Sequence, residues 1–552
     1  MIRSILIAPI FLLLALWLTV SGYAIKDRIE KDFTGREWVL KDWEAGIRPY
    51  PKELMKREKQ YREKWGENWY GPQVAQRIYT PGNWSWEVYH SVPKYMAERL
   101  KGTGGGKYPW GFYHKIMTFV WAPGREVTDI YIVTNSSFYH YDALSKKSRF
   151  IGNPEKNGHL DGVMDKALLN LLEKDVALDQ VTGRLYFSQK IGNKQIFRFV
   201  EKLLPYRCSK TKTIFYLPSV LDTKKLYEKV GSPAGGELEP LFKDGKRDEP
   251  VFVVRTNYSV EVHDLPGART GRRLLITPDG KGIYYAKGRG SREGYWVYTL
   301  YDMTSLFDIE TGKMIGRLNV TGIIPENFKG GDAPGTHGGN NVGYDGNIYT
   351  AQHGGSGGGP GRMFSIDPES GTVTILYDSM PEDGSWRKVR SPVFDGPADA
   401  TSLWFTSTLW QTQCPRTGAI INGGWDNSGI RRYHDGFVTT IAGHFIGGFN
   451  QPPRPGWNTG FKNVHHSSNP AVAPNGDLYI ADVNNERLGK IIFTEPRIVR
   501  IYRSDWPEEQ PVNGYAEKFI PKEKLESLRL EYAKKYIANF DENNRLLKEA
   551  GY

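Results

Sequence analysis

The stretch Thr336–Tyr377, THGGNNVGYDGNIYTAQHGGSGGGPGRMFSIDPESGTVTILY, constrains this chain more than any other. It parses into four short strands. Asn340–Tyr344 runs into an Asp345-Gly346 turn, a residue pair that tolerates the positive φ that hairpins require. Asn347–Gln352 answers it, and a glycine-rich loop follows from His353 to Gly361. Arg362–Ile366 and Thr372–Tyr377 then flank a turn at Asp367–Gly371. Four antiparallel strands in about 40 residues cannot bury both faces of their own sheet, so the unit needs neighbours of its own kind. It reads as one blade of a β-propeller.

The pattern recurs from His114 onward, about every 50–60 residues. Ile116–Pro123, Asp129–Thr134, Phe138–Asp142 and Ser148–Gly152 form a first copy. Val176–Leu178, Arg184–Ser188 and Gln195–Val200 belong to a second, and Leu274–Thr277, Gly282–Ala286 and Leu306–Lys313 to a third. Thr336–Tyr377 is the fourth. Leu403–Trp410, Ala419–Gly423, Gly429–Tyr433 and Phe437–Gly443 make a fifth. Asn469–Ala473, Asp477–Ala481, Gly489–Phe493 and Arg497–Arg503 make a sixth. Asp-Gly, Asn-Gly or Thr-Gly turns bound these apolar and aromatic strands, as expected of a sheet. Leu203–Glu249 and Tyr295–Asp302 read as insertions.

A propeller relaxes the length prior: 552 residues would ordinarily suggest several domains, but one ring can absorb about 300–400 of them. The net charge of +11 suits an anionic ligand or surface. No Arg/Lys block or RNA-binding motif accompanies it, so nucleic acid is not an expected partner. Cys208 and Cys414 fall in different repeats and in no zinc spacing; outside the cytoplasm a disulfide between them is allowed.

The ends of the chain carry no blade pattern. Met1–Ala24 opens with Arg3, continues through the apolar run Ile5–Val20 and closes on Ser21–Ala24, the plan of a secretory signal cleaved after Ala24. The alternative is an uncleaved anchor, in which case the protein is held at a membrane. Either way the bulk of the chain is expected outside the cytoplasm, periplasmic or secreted. Lys52–Trp65 reads as a polar helix wrapping the ring. In Pro521–Phe540, Leu525, Leu528, Tyr532, Tyr536 and Phe540 recur at three and four, so a C-terminal helix with one apolar stripe should dock on the outside of the ring.

In the fifth and sixth copies, Asp395–Ala398, Gly429–Tyr433 (GIRRY), Thr439–Gly443 (TTIAG) and Asn475–Arg487 (NGDLYIADVNNER) resemble NHL repeats. Asp161-Gly162 and Ala177–Asp179 resemble them more loosely. The resemblance spans about Gly158–Arg503 and implies a propeller. It implies a chemistry only in outline, because related propellers differ in function. They include gluconolactonase-like hydrolases, which hold calcium with Asn, Asp and Glu. Peptide-amidating lyases, which hold zinc with His, are another group, and others are binding scaffolds. His337-Gly338-Gly339 followed by Asp345–Tyr349 also resembles the soluble quinone-dependent sugar dehydrogenases, which would make His337 a catalytic base.

The strand assignments themselves place candidate chemistry on one rim. His114, His337, His465 and His466 immediately precede innermost strands, and His353 lies in a loop joining a second strand to a third. Imidazoles converging there could hold a divalent metal ion such as zinc, copper or iron, or move protons, while calcium would need oxygen ligands. Asn469, Asp482 and Asn341 are alternative oxygen ligands. Lys174, Arg272 and Arg273 would approach the same channel, where they could clamp a carboxylate.

The expected protein is therefore all-β: an about six-bladed propeller over 114–506, with a mixed N-terminal extension over 25–113 and a helical tail over 507–552. The expected function is a metal-dependent hydrolase or lyase acting on a small-molecule or glycan ligand. The alternatives are a non-catalytic binding or assembly propeller, which would meet a protein partner through its terminal extensions, and a quinone-dependent sugar dehydrogenase.

Overall fold

A computed structural model describes side chains over most of 129–221, 235–241, 250–261, 274–285, 305–316, 342–349, 363–376 and 523–549, and at a few positions among 412–433. Elsewhere it describes only the backbone of separate strands. The signal or anchor segment Met1–Ala24 and the expected helix Lys52–Trp65 lie outside the described residues. Among the described residues no helix is long and apolar enough to cross a membrane.

Among the described residues, six antiparallel sheets carry the fold. The first orders Ile116–Trp121, Val127–Val133, Phe138–Asp142 and Lys147–Ile151 in sequence. The third is Arg272–Ile276, Gly282–Lys287, Thr304–Asp308 and Met314–Arg317. The fourth is Asn341–Val342, Ile348–Gln352, Arg362–Ile366 and Val373–Asp378. The fifth runs outward from Thr408–Gln413 through Ile420–Gly424 and Ile430–His434 to Phe437–Ala442. The first strands of the six sheets touch in a cycle. Ile116–Trp121 meets Val176–Leu178, and contact passes through Arg272–Ile276, Asn341–Val342, Thr408–Gln413 and Ala471–Val472 back to Ile116–Trp121. This is a β-propeller.

The third sheet adds a fourth strand, Met314–Arg317, beyond the expected Leu306–Lys313, and the fifth opens at Thr408–Gln413 rather than Leu403–Trp410; the second and sixth depart further. In the second, Val176–Leu178 and Leu185–Ile191 are followed by the 15-residue strand Lys194–Cys208, and the fourth strand is Val251–Glu261. The insertion between them adds Ile214–Pro218 and Leu238–Pro240 to the far end of the long strand. In the sixth sheet, Ala471–Val472, Leu478–Asp482 and Arg487–Phe493 are completed by Trp84–Ser91, a strand from the N-terminal extension. Arg497–Arg503 does not supply that strand: Ile501–Tyr502 pairs instead with Glu37–Leu40 in a small separate sheet. Closing the last sheet with a strand from the other end of the chain fastens the ring by hydrogen bonds, and sequence order cannot reveal it.

The core lies between neighbouring sheets. In the second sheet Leu185 and Phe187 point into the cluster shared with Tyr131, Val133, Phe138 and Ile151 of the first. Tyr186, Phe197 and Phe199 point the other way, against Leu274, Ile276, Tyr285 and Phe307 of the third. Side chains alternate sides at every residue, so a strand sandwiched on both faces must be apolar almost throughout.

One turn recurs at the ends of these strands. At Asp179–Gly183, Asp308–Gly312 and Asp367–Gly371 the glycine N–H donates to the aspartate carbonyl 2.8–2.9 Å away. The aspartate Oδ1 accepts from a backbone N–H two residues on, at 2.8, 3.2 and 2.9 Å. Gly312 closes its turn at φ +66°, with Tyr258 lying where a Cβ would stand. Gly346 also has positive φ, +87°, but faces open space. Gly312→Ala should therefore cost more than the about 1 kcal/mol expected for Gly346→Ala. Equal shifts of the two urea midpoints would show that Tyr258 yields freely.

The C-terminal tail is two helices, α1 (Lys522–Ala538) and α2 (Phe540–Glu549), where the sequence suggested one. Of the stripe, Leu525, Tyr532, Tyr536 and Phe540 are buried and Leu528 is half-buried. Tyr532 reaches Glu201 at the turn-bearing end of the second sheet, while Tyr536 and Phe540 pack on Tyr216 and Phe215 of the insertion strand Ile214–Pro218. Arg529 Nη2 donates to the Gln180 carbonyl at 3.0 Å, Lys535 Nζ reaches Glu310 at 2.6 Å, and Lys281 lies 3.7 Å from Glu531. All three contacts fall on turns joining first to second or third to fourth strands.

Candidate functional site

Of the residues singled out in the sequence, His114, His337, His353, His465, His466, Lys174 and Asn469 lie outside the described residues. Arg272, Arg273, Asn341 and Asp482 are described only as strand backbone. The strand ends next to these residues are described, and they share one edge. Ile116, Arg272, Asn341 and Ala471 begin first strands, and Gln352 ends a second strand. Antiparallel pairing sets the starts of first strands beside the ends of second strands, as in Arg272 opposite Lys287. This loop edge is opposite the turn edge that α1 covers.

The loop edge of the second sheet is built by Arg198, which is buried. Its Nη2 donates to the Leu160 carbonyl at 2.7 Å and its Nη1 to the Leu168 carbonyl at 3.0 Å and to Gln189 Oε1 at 2.6 Å. Its Nε donates to Asp161 Oδ1 at 2.9 Å. Burial, which pushes the guanidinium pKa down, is only partly offset by Asp161. One arginine thus pins residues 160–168, part of the connection from the first sheet to the second.

The densest set of buried ionisable groups lies at the joint of the first and second sheets. Asp129 faces Asp142 across the first sheet, and Tyr131 faces His140. From the second sheet the neighbouring pair Lys202 and Phe252 meets them. Lys202 Nζ lies 2.5 Å from Asp129 Oδ1 and 3.4 Å from Asp142 Oδ2. His140 Nε2 is 2.5 Å from the same Asp129 oxygen, and its ring is 4.6 Å from that of Phe252. A carboxylate only accepts, so Nε2 carries the proton and Nδ1 is left with no hydrogen-bond partner.

Burial alone would raise the Asp129 pKa, but Lys202 and the His140 N–H overcome it and hold the carboxyl well below its usual range. The Asp142 carboxyl is held down in the same way, again against burial and chiefly by Lys202. Burial pushes His140 down against the pull of Asp129, so its imidazole is neutral.

Sequence reasoning passed over this set. Asp129, His140 and Asp142 fall in strands that are otherwise mostly apolar, but Lys202 reads as lying beyond a strand end, so nothing local brings it to them. Around the turn edge, Arg184 Nε donates to Glu201 Oε1 at 2.8 Å, and the Tyr532 hydroxyl of α1 donates to the same oxygen. Among the described residues no three His, Cys, Asp or Glu side chains stand together as a metal site. Cys208 is a buried thiol, whereas Cys414 lies outside the described residues.

No family model and no curated protein matches the chain. Among solved structures, a protein of unknown function from Bacteroides thetaiotaomicron covers 75% of this chain and 79% of its own, at 13% identity and a TM-score of 0.40. An auxiliary nutrient binding protein from Bacteroides ovatus covers 75% and 77%, at 15% identity and a TM-score of 0.38. A luciferin-regenerating enzyme covers 70% and 93%, at 11% identity and a TM-score of 0.29. The propeller assignment rests on the sheets themselves rather than on these likenesses.

Proposed function

We propose that this chain is an exported NHL-type propeller that binds a small polar ligand, anionic or sugar-derived, at the loop edge and acts on it as a metal-dependent hydrolase or lyase. One observation carries the reading: α1 covers turns at one edge of the sheets, while the strand ends beside the candidate residues all lie at the other. His114, His337, His353, His465 and His466 would supply imidazole donors for zinc, whereas calcium would draw on the oxygen ligands Asn341, Asn469 and Asp482. Such an ion polarises a carbonyl and lowers the pKa of bound water. Lys174, Arg272 and Arg273 would hold a ligand carboxylate by charge-assisted hydrogen bonds.

The competing reading, a non-catalytic assembly propeller, leaned on terminal extensions free to meet a partner. Parts of both extensions are engaged within the fold: Trp84–Ser91 is a sheet strand, and α1 packs on turns.

The test is metal content. Purified protein is expected to carry near-stoichiometric divalent metal that a chelator removes together with some thermal stability. His337→Ala should lower that content and leave any quinone-dependent dye reduction unchanged. Metal-free protein whose melting ignores chelator would sink the metal reading. Loss of sugar-driven dye reduction in His337→Ala, with metal content intact, would make His337 a dehydrogenase base instead.

A further inference from the structure

We infer that the joint between the first and second sheets is an acid-sensitive seam, in which His140, Asp129 and Asp142 take up protons when the two sheets part. Its geometry is one-sided. The first sheet contributes both carboxylates and the imidazole, and the second contributes the Lys202 ammonium and the Phe252 ring. The side chains of His140, Asp129 and Asp142 are fully buried, and that of Lys202 nearly so.

A proton added to His140 in the closed seam would sit on Nδ1, where no acceptor stands to receive the new N–H. A proton added to Asp129 would weaken its attraction to Lys202 and compete with the N–H that His140 donates to the same oxygen. Each proton therefore binds more favourably once the seam opens and water enters. The charged groups facing His140 are Asp129, Asp142 and Lys202, with the Tyr131 phenol beside it. Arg149 is the direct cross-strand neighbour of His140 on Lys147–Ile151, its guanidinium 6.0 Å from the centre of the Phe252 ring.

The sign follows from linkage. All three groups have closed-state pKa values below their ordinary ones. Their stabilisation of the seam is present at neutral pH and is lost on acidification. Loss begins near the ordinary histidine value of about 6.5, and the open fraction should rise about tenfold per pH unit with one proton taken up. Below about pH 4 the two aspartates join and the dependence steepens. Opening would part the first strands Ile116–Trp121 and Val176–Leu178, which touch across the seam. None of this draws on the proposed metal, so either reading can fail alone.

The test is hydrogen exchange on the full-length protein from pH 7.5 to 4.5, corrected for intrinsic rates and read by mass spectrometry. Protection of peptides spanning 129–142 and 194–208 should fall about tenfold per pH unit below about 6.5, while peptides spanning 274–285 and 363–376 hold theirs. His140→Gln keeps a donor for Asp129 but does not titrate, and should flatten the decline between pH 6.5 and 4.5. Pre-acid protection that stays constant to pH 4.5, falls equally in all four peptides, or falls unchanged in His140→Gln overturns the seam. Should that variant not fold, the comparison among the four wild-type peptides decides alone.

Discussion

Lys202→Met is expected to cost about 3–5 kcal/mol of folding stability, the range for removing one partner of a buried charge set. Methionine matches the length of the lysine stem and preserves its packing, so the loss reports the ammonium. Without it, the Asp129 and Asp142 carboxylates face each other across the first sheet with no Lys202 charge between them. Lys535→Met makes the control. That ammonium also lies 2.6 Å from a carboxylate, Glu310, but both side chains are more than half exposed. Water and salt screen such a pair, and its loss should be below about 1 kcal/mol. Guanidinium denaturation of the two variants measures the difference. Equal losses would mean that water reaches Lys202 in the folded state.

A chain ending at Pro521, lacking α1 and α2, should lose cooperative folding or melt more than about 10 °C lower. Tyr532, Tyr536, Phe540 and Leu547 are buried in the core shared with the second sheet and its insertion, and Leu525 is buried as well. At about 1.5–3 kcal/mol for each large apolar side chain, their gross contribution is comparable with the whole 5–15 kcal/mol stability of a typical domain. Truncation also removes the Tyr532 hydroxyl from Glu201, and with it the Asn544 Oδ1 that accepts the Tyr216 N–H at 3.1 Å. Circular dichroism during heating is the measurement. An unchanged melting curve would make the tail an accessory rather than part of the core.

The stripe on α1 shows how far sequence reasoning reaches. Leu525, Leu528, Tyr532, Tyr536 and Phe540 at spacings of three and four dictate a helix that must bury one side. The same spacing cannot say which surface receives it. The receiving surface is assembled from Gln180, Glu201, Lys281 and Glu310, drawn from two sheets and more than 200 residues away. The break at Asn539 was equally out of reach, because Phe540 satisfies the stripe whether it ends α1 or begins α2.

Local rules settled the sheets. An aspartate whose carboxylate caps its own turn, a glycine at positive φ and alternation of side chains over five residues act within a hairpin, so the strands of the first and fourth sheets could be read directly. The long strand Lys194–Cys208 hid its extent, since Glu201 and Lys202 look like a strand end. They are buried only because Arg184 and Tyr532 meet one, and Asp129 and Asp142 the other. Likewise Trp84–Ser91 has no partner nearby in sequence, and its place beside Arg487–Phe493 follows from closing a ring. Residue order alone dictates repeated four-stranded units that must pack face to face, because hairpin geometry and burial are local. Which distant strand seals the last unit, which edge the tail covers and which charges meet inside were decided only by tertiary structure, because those energies exist only between segments that the closed ring brings together.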